Sequence, residues 1–359
     1  KSLYEFLDPN LIDFLTQSEV PFHEVDIKSL TGKTISTEWT SRKVSYADRL
    51  VYVLSVRDIS KRKQAEKQVA AQAEQLEEAR QIIELNKEIE KQNTKINASI
   101  FYAKKIQNAM LPRDEVFSKY LPQSFVFFKP RDVVSGDFYW ITQKQTAGGY
   151  PLVIVAAIDC TGHGVPGAFM SMTGDALLNS IINTSQITQP DQILSHLHKG
   201  IRRTFKQADT KNSDGMDMSL CVLNYETNEL SFAGANSPLI FIQENALGQF
   251  ETNYIKGDKK SIGGKVFPNE TRRVFTTHTF SFDKSMTCYI FSDGYQDQFG
   301  GPQGRKFMGR RLRKLLTEIH QKPFSAQHQL IEQKLDSWMG AEKQIDDILL
   351  IGFKAEPKP

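Results

Sequence analysis

The chain has 359 residues, 24% of them charged, and a formal net charge of +3. That length accommodates two or three units, and the near-neutral balance argues against a nucleic-acid partner. Cys160, Cys221 and Cys288 lie far apart, each in or beside an apolar run, so they read as buried thiols of a reducing compartment and not as a disulfide set. No apolar run reaches the length of a membrane span and no signal peptide opens the chain, which points to the cytoplasm. The abrupt start leaves room for a sensor or membrane segment upstream.

Residues 1–60 are strand-like in their second half. Val20 to Ile27, Ile35 to Val44 and Leu50 to Val56 are β candidates, with a turn signal at Thr31-Gly32-Lys33 and an N-cap candidate at Ser60. Residues 61–109 contain no Gly or Pro and are rich in Lys, Glu, Gln and Ala. Val69, Leu76 and Ile83 repeat every seven, as do Ile82, Ile89, Ile96 and Ala103 one position out of phase. This pattern predicts a coiled coil with a stammer-like phase change. One such helix cannot bury its own apolar stripe, so a parallel homodimer through 61–109 is expected, acting as a signalling rod or as a passive dimeriser. Leu111-Pro112-Arg113 ends it.

The rest, residues 110–356, reads as one domain. Ser124 to Phe128 and Val133 to Ile141 are expected to form a strand pair, and Leu152 to Ile158 is a continuous apolar run expected as a buried strand. Helices are expected over Pro166 to Ile182, Pro190 to Gln207, Phe307 to Ile319 and Ser325 to Met339. Met216 to Leu223 and Leu230 to Ala233 form a hairpin. Leu239 to Ile242, Asn253 to Lys256, Arg272 to Thr276, Met286 to Phe291 and Ile345 to Phe353 are further strands. Many antiparallel strands with helices in two separate pairs predict an α+β layered sandwich.

Four carboxylate corners recur at strand boundaries: Ser135-Gly136-Asp137, Asp159-Cys160-Thr161-Gly162-His163-Gly164, Ser292-Asp293-Gly294 and Asp346-Asp347-Ile348. Asp is a hard oxygen donor suited to Mg²⁺ or Mn²⁺. An isolated Asp before Gly is usually a turn residue; it is the ordered set that points to metal. There is no Cys-x5-Arg loop after Cys160 and no Walker motif, so neither a cysteine nucleophile nor P-loop chemistry is expected.

These motifs, in this order, resemble the metal-site motifs of the PPM family of type 2C-like serine/threonine phosphatases, in its bacterial SpoIIE-like branch. Gly234-Ala235-Asn236-Ser237-Pro238-Leu239 and Asp297-Gln298-Phe299-Gly300-Gly301 also look typical of that branch. The resemblance implies an αββα sandwich and two Mn²⁺ or Mg²⁺ ions that activate water against a phosphoserine or phosphothreonine. It implies Asp159 as the bridging ligand, with Asp137, the Cys160 carbonyl, Asp293 and Asp346 as further metal ligands. Asp347, Asp217 and His163 come behind these: adjacent Asp346 and Asp347 face opposite sides of a strand, so one of them ligates and the motif favours Asp346; Asp217 reads as a turn or strand-edge residue ahead of a third-metal ligand, and His163 as organising backbone. It further implies a phosphorylated STAS-domain partner of the anti-anti-sigma type, and a helix pair at 165–207 as the switch. Residues 1–60 resemble the C-terminal part of a PAS domain, through Glu38-Trp39 and Val53-Leu54-Ser55-Val56-Arg57-Asp58-Ile59-Ser60. The competing reading is a non-catalytic scaffold of the same fold that binds a phosphoprotein; a third makes the coiled-coil dimer the main function.

Overall fold

The structure, a computed structural model, describes residues 13, 22–28, 32–264 and 273–357. It divides into two compact units, Lys1–Thr94 and Lys95–Pro359. In the first, β1 (His23–Lys28), β2 (Thr34–Tyr46) and β3 (Arg49–Asp58) form an antiparallel meander in that order. Ala47 and Asp48, with φ of 48° and 58°, make the tight turn from β2 to β3, the left-handed pair that suits the twist of a two-residue hairpin. The expected strand start at Val20 and Thr31 of the expected turn lie outside the described residues.

Helix α1 (Ser60–Met110) follows. Ser60 does not cap it as expected: its Oγ accepts from Ser36 N at 3.1 Å, and Asp58 Oδ1 accepts from Ser60 N at 2.8 Å. Arg62 ion-pairs with Glu24 and Glu38, tying the first turn of the helix to β1 and β2. Val69, Leu76, Ile82, Ile83, Ile89 and Ile96 are all exposed along α1.

The second unit is a four-layer sandwich. After α2 (Asp114–Tyr120), the strands are β4 (Ser124–Lys129), β5 (Phe138–Gln145) and β6 (Pro151–Cys160), and then helix α3 (Gly164–Leu178), which runs into a π-helical turn at Asn179–Thr184. Next come α4 (Pro190–Thr204), β7 (Gly215–Asn224), β8 (Glu229–Ala235), β9 (Leu239–Glu244), β10 (Phe250–Ile255), β11 (Ile262–Gly263), β12 (His278–Ser281) and β13 (Met286–Phe291). The chain closes with α5 (Gly294–Asp297), the short pair β14 (Phe299–Gly300) and β15 (Arg305–Lys306), helices α6 (Gly309–Ile319) and α7 (Phe324–Met339), and β16 (Ile348–Ala355). One sheet runs β12-β8-β7-β6-β5, with β11 added on β7; the other runs β10-β9-β13-β16-β4.

The sheets face each other, which explains the apolar runs. In β6, Val153, Val155 and Ala157 pack toward the second sheet, against a layer that includes Phe241, Ile290 and Ile351. Ile154, Ala156 and Ile158 point the other way, to Leu178, Ile182, Leu194 and Ile201 of the first helical layer. A strand buried on both faces has no polar side to show, so alternation disappears. On the outer face of the second sheet, Ile240, Tyr289 and Leu350 meet Leu312, Leu316, Ile331 and Leu335 of α6 and α7. The αββα expectation holds.

Three local expectations do not. Residues 124–128 and 133–141 are not a pair: β4 joins β16 and β5 joins β6, in different sheets. Residues 133–137 are loop, so Asp137 precedes β5 and is not within a strand. Of the strand expected over Arg272 to Thr276, residue 272 lies outside the described residues and 273–276 form no strand; Asp258 satisfies Thr276 N with a carboxylate oxygen at 2.7 Å, where a ladder would have used a neighbouring strand.

Candidate active site

Five chain segments deliver carboxylates to one rim of the sandwich. β6 ends at Asp159-Cys160, and the chain turns through Gly162 and Gly164, both left-handed with φ of 86° and 64°, into α3. These glycines are required there, since a side chain is strained at such angles. β7 runs antiparallel to β6 in a register that sets Asp217 directly opposite Asp159. β13 ends beside the start of β16, Phe291 pairing with Leu350, so Asp293 just after one and Asp346 and Asp347 just before the other share that edge. Asp137 arrives from the loop before β5, whose Phe138 pairs with Ile158.

The electrostatics are those of crowded like charges. Asp137 is 2% exposed; burial raises its carboxyl well above the usual range, Asp159 raises it further, and the Ser292 hydroxyl offsets this by hydrogen bonding. Burial, then Asp293, Asp346 and Asp217, push Asp159 up to about 8. Asp293 is raised to about 6 by burial and by Asp297 and Asp346, against a hydrogen bond with Asp159. Asp346 is raised by burial and partly relieved by the Asp347 amide, His163 and Arg131. Burial holds the Cys160 thiol protonated, its ionisation raised well above the normal range, so it is no nucleophile.

Asp347 does something different from its neighbour. It is buried, Oδ1 accepts from Arg131 N and Oδ2 from Gly136 N, both at 2.7 Å. Both oxygens therefore brace the 131–136 loop. The opposite-face argument for the Asp346–Asp347 pair does not apply, because β16 starts after them, at Ile348. Asp346 stays at the rim, where Oδ1 accepts from Asp347 N at 2.9 Å. His163 does not organise backbone through its ring: Nδ1 meets Asp132 Oδ2 at 2.8 Å and caps nothing. It links the turn after β6 to the loop before β5. Arg131 donates Nη1 to Ile345 O at 3.0 Å.

Two residues gain roles that the sequence did not show. Ser292 Oγ accepts from Leu349 N at 3.0 Å while its hydroxyl serves Asp137. Asn236, left-handed at φ 57°, donates Nδ2 to Asp217 Oδ1 and to Ser261 Oγ, both at 2.9 Å. Both lie in motifs already singled out, so position relative to the Asp residues was the available signal. The Cys160 carbonyl lies under the same loop, 3.2 Å from where a Cβ on Gly136 would stand.

The residues fit a hard divalent cation. Every donor is oxygen, the cluster carries excess negative charge, and Asp137 Oδ2 is buried with no hydrogen-bond partner. Such an orphaned acceptor is costly unless a cation or proton takes it. Among the described residues no three His, Cys, Asp or Glu side chains already form a group that could hold a metal ion.

A family model, "Stage II sporulation protein E (SpoIIE)", matches residues 151–356. Among solved structures, the SiaA-PP2C domain of Pseudomonas aeruginosa is 31% identical at a TM-score of 0.61, covering 73% of this chain and 97% of that one. The PP2C phosphatase domain of SpoIIE from Bacillus subtilis, solved with a fragment of its regulatory domain, is 14% identical at a TM-score of 0.50. It covers 66% of this chain and 64% of that one, a likeness of fold. No curated protein matches.

Proposed function

Because the chain belongs to the SpoIIE family of PP2C-like serine/threonine phosphatases, we propose that it dephosphorylates a phosphoserine or phosphothreonine on a partner protein, using two Mn²⁺ or Mg²⁺ ions. The observation that carries this reading is the rim of mutually repelling carboxylates with one orphaned oxygen at Asp137. Asp159 is proposed as the ligand common to both ions, with Asp137, Asp293, Asp346 and the Cys160 carbonyl completing the set. When bound, such ions acidify water and withdraw charge from phosphoryl oxygens. The chain's own residues do the positioning. Asp347 holds the 131–136 loop, Ser292 orients Asp137, and Asn236 orients Asp217.

The partner is proposed to be a STAS-domain regulator, in keeping with the branch. Residues 1–60 are proposed as the remainder of a PAS-like sensor, 61–109 as a parallel dimeric coiled coil and 110–356 as the phosphatase domain. The exposed apolar residues of α1 support a second copy as their cover. Three buried free cysteines favour a reducing compartment; among the described residues no helix is long and apolar enough to cross a membrane.

The test is phosphate release from an aryl phosphate and from a phosphoserine-bearing STAS protein, with chelator and with Mn²⁺. Mn²⁺-dependent release from both supports the proposal, and release from the aryl phosphate alone removes the STAS partner. Silence with metal bound turns the reading to a phosphoprotein scaffold; no metal binding removes the site.

A further inference from the structure

Gln107 is the one buried residue of the 51-residue helix α1. A helix end fixed by packing buries Leu, Ile or Val; here the neighbouring Ile106 is exposed and an amide goes inside. That amide is fully used. Nε2 donates to Ser135 O at 2.7 Å and to Ser171 Oγ at 2.9 Å, and Oε1 accepts from Ser135 N at 3.0 Å. Gln107 thus pairs with both backbone groups of Ser135, much as a neighbouring strand would, in a loop that has no strand beside it.

Ser135 is wholly buried and lies two residues before Asp137. Asp347 holds the next residue, Gly136, through its amide. The loop that presents Asp137 is therefore gripped at successive residues, by a helix side chain at one and by a carboxylate at the other. We propose that Gln107 is a positioning residue for the metal site: it fixes the Ser135-Gly136-Asp137 loop so that Asp137 can ligate a divalent ion. This rests on the metal-site reading above. Without the amide, two buried backbone groups of Ser135 lose their partner, and a polar group so stranded drives rearrangement. Ser171 of α3 is a side branch, since its own hydroxyl donates to Ala168 O at 2.9 Å.

The experiment titrates Mn²⁺ into the chelator-stripped full chain by calorimetry and follows amide hydrogen exchange at residues 135–137. Gln107→Met keeps length and volume and removes all three bonds. It is expected to weaken Mn²⁺ binding by about 10–100-fold, the usual cost of losing an outer partner of a metal ligand. Exchange at 135–137 should quicken, and kcat on an aryl phosphate should fall with KM little changed. Ser171→Ala leaves both bonds to Ser135 and should bind Mn²⁺ as the unaltered chain does. Gln107→Glu, which still accepts from Ser135 N, should fall between and serves if the methionine variant does not fold. Unaltered Mn²⁺ affinity in the folded Gln107 variants overturns the inference while leaving the metal site standing, as does an equal loss in Ser171→Ala. Failure of the unaltered chain to bind Mn²⁺ overturns the site and this inference together.

Discussion

Helices α3 and α4 cover one sheet of the sandwich and α6 and α7 cover the other, with opposite means. The buried positions of α3 include Gly167, Ala168, Ser171 and Gly174. At Gly167 a Cβ would come within 2.8 Å of Gly136 Cα, and at Gly174 within 2.8 Å of the Phe138 ring. The buried positions of α6 are Leu312, Leu315, Leu316 and Ile319. The first helix approaches backbone to backbone and so touches the loops that carry Asp137 and Asp159. The second contributes apolar area through Leu and Ile side chains. Substitutions that add bulk where α3 meets Gly136 should therefore appear in activity and metal binding, and substitutions in the α6 layer in stability alone.

The largest effect should come from the rim itself, which sets the scale for the comparison. Asp159→Asn keeps volume and removes one charge. It is expected to lower kcat/KM by on the order of 10³-fold, the several kcal/mol that a metal centre contributes to phosphoryl transfer. Because burial and its neighbours already disfavour the ionised form, the metal-free variant should unfold at or above the temperature of the unaltered protein. Full activity in a folded Asp159→Asn removes its assignment as a shared ligand.

Next is Leu316→Ala in the far layer. Leu316 is wholly buried, and such truncations cost about 2–5 kcal/mol. Denaturant unfolding should show that loss while Mn²⁺ affinity and kcat per folded molecule stay unchanged. Gly167→Ala, by contrast, should cost about 1–3 kcal/mol by overpacking but also weaken Mn²⁺ binding, since the added methyl presses on Gly136. If Gly167→Ala leaves binding intact, or Leu316→Ala impairs it, the division of labour between the layers fails.

How far the sequence announces these features follows from the kind of physics behind each. The β6 and β13 strands were legible because both faces are buried, and the hairpin β7–β8 because its partners are adjacent. β4 was misassigned because its partner β16 lies at the other end of the chain, which periodicity cannot see. The four Asp corners could be named from order and spacing. That Asp217 faces Asp159 depends on strand register, and the use of Asp347 oxygens by Arg131 and Gly136 depends on where a loop folds back. Gln107 gave no signal at all: within a polar helix one more glutamine looks solvated.

The smallest predicted effect separates the rim from both helical layers through pH. Asp159 and Asp293 bind protons more tightly folded, at about 8 and about 6, than an unperturbed Asp near 3.9. The native state therefore holds more protons than the unfolded one across that interval, and stability falls as pH rises through it. Metal-free protein should melt several degrees lower at about pH 8 than at about pH 5. Mn²⁺, by replacing the protons, should flatten that slope. Leu316→Ala should lower both curves without changing their slopes, whereas Asp159→Asn should reduce the metal-free slope by removing one of the titrating groups. A metal-free melting temperature that rises over this interval would mean that the rim carboxylates do not crowd one another in solution.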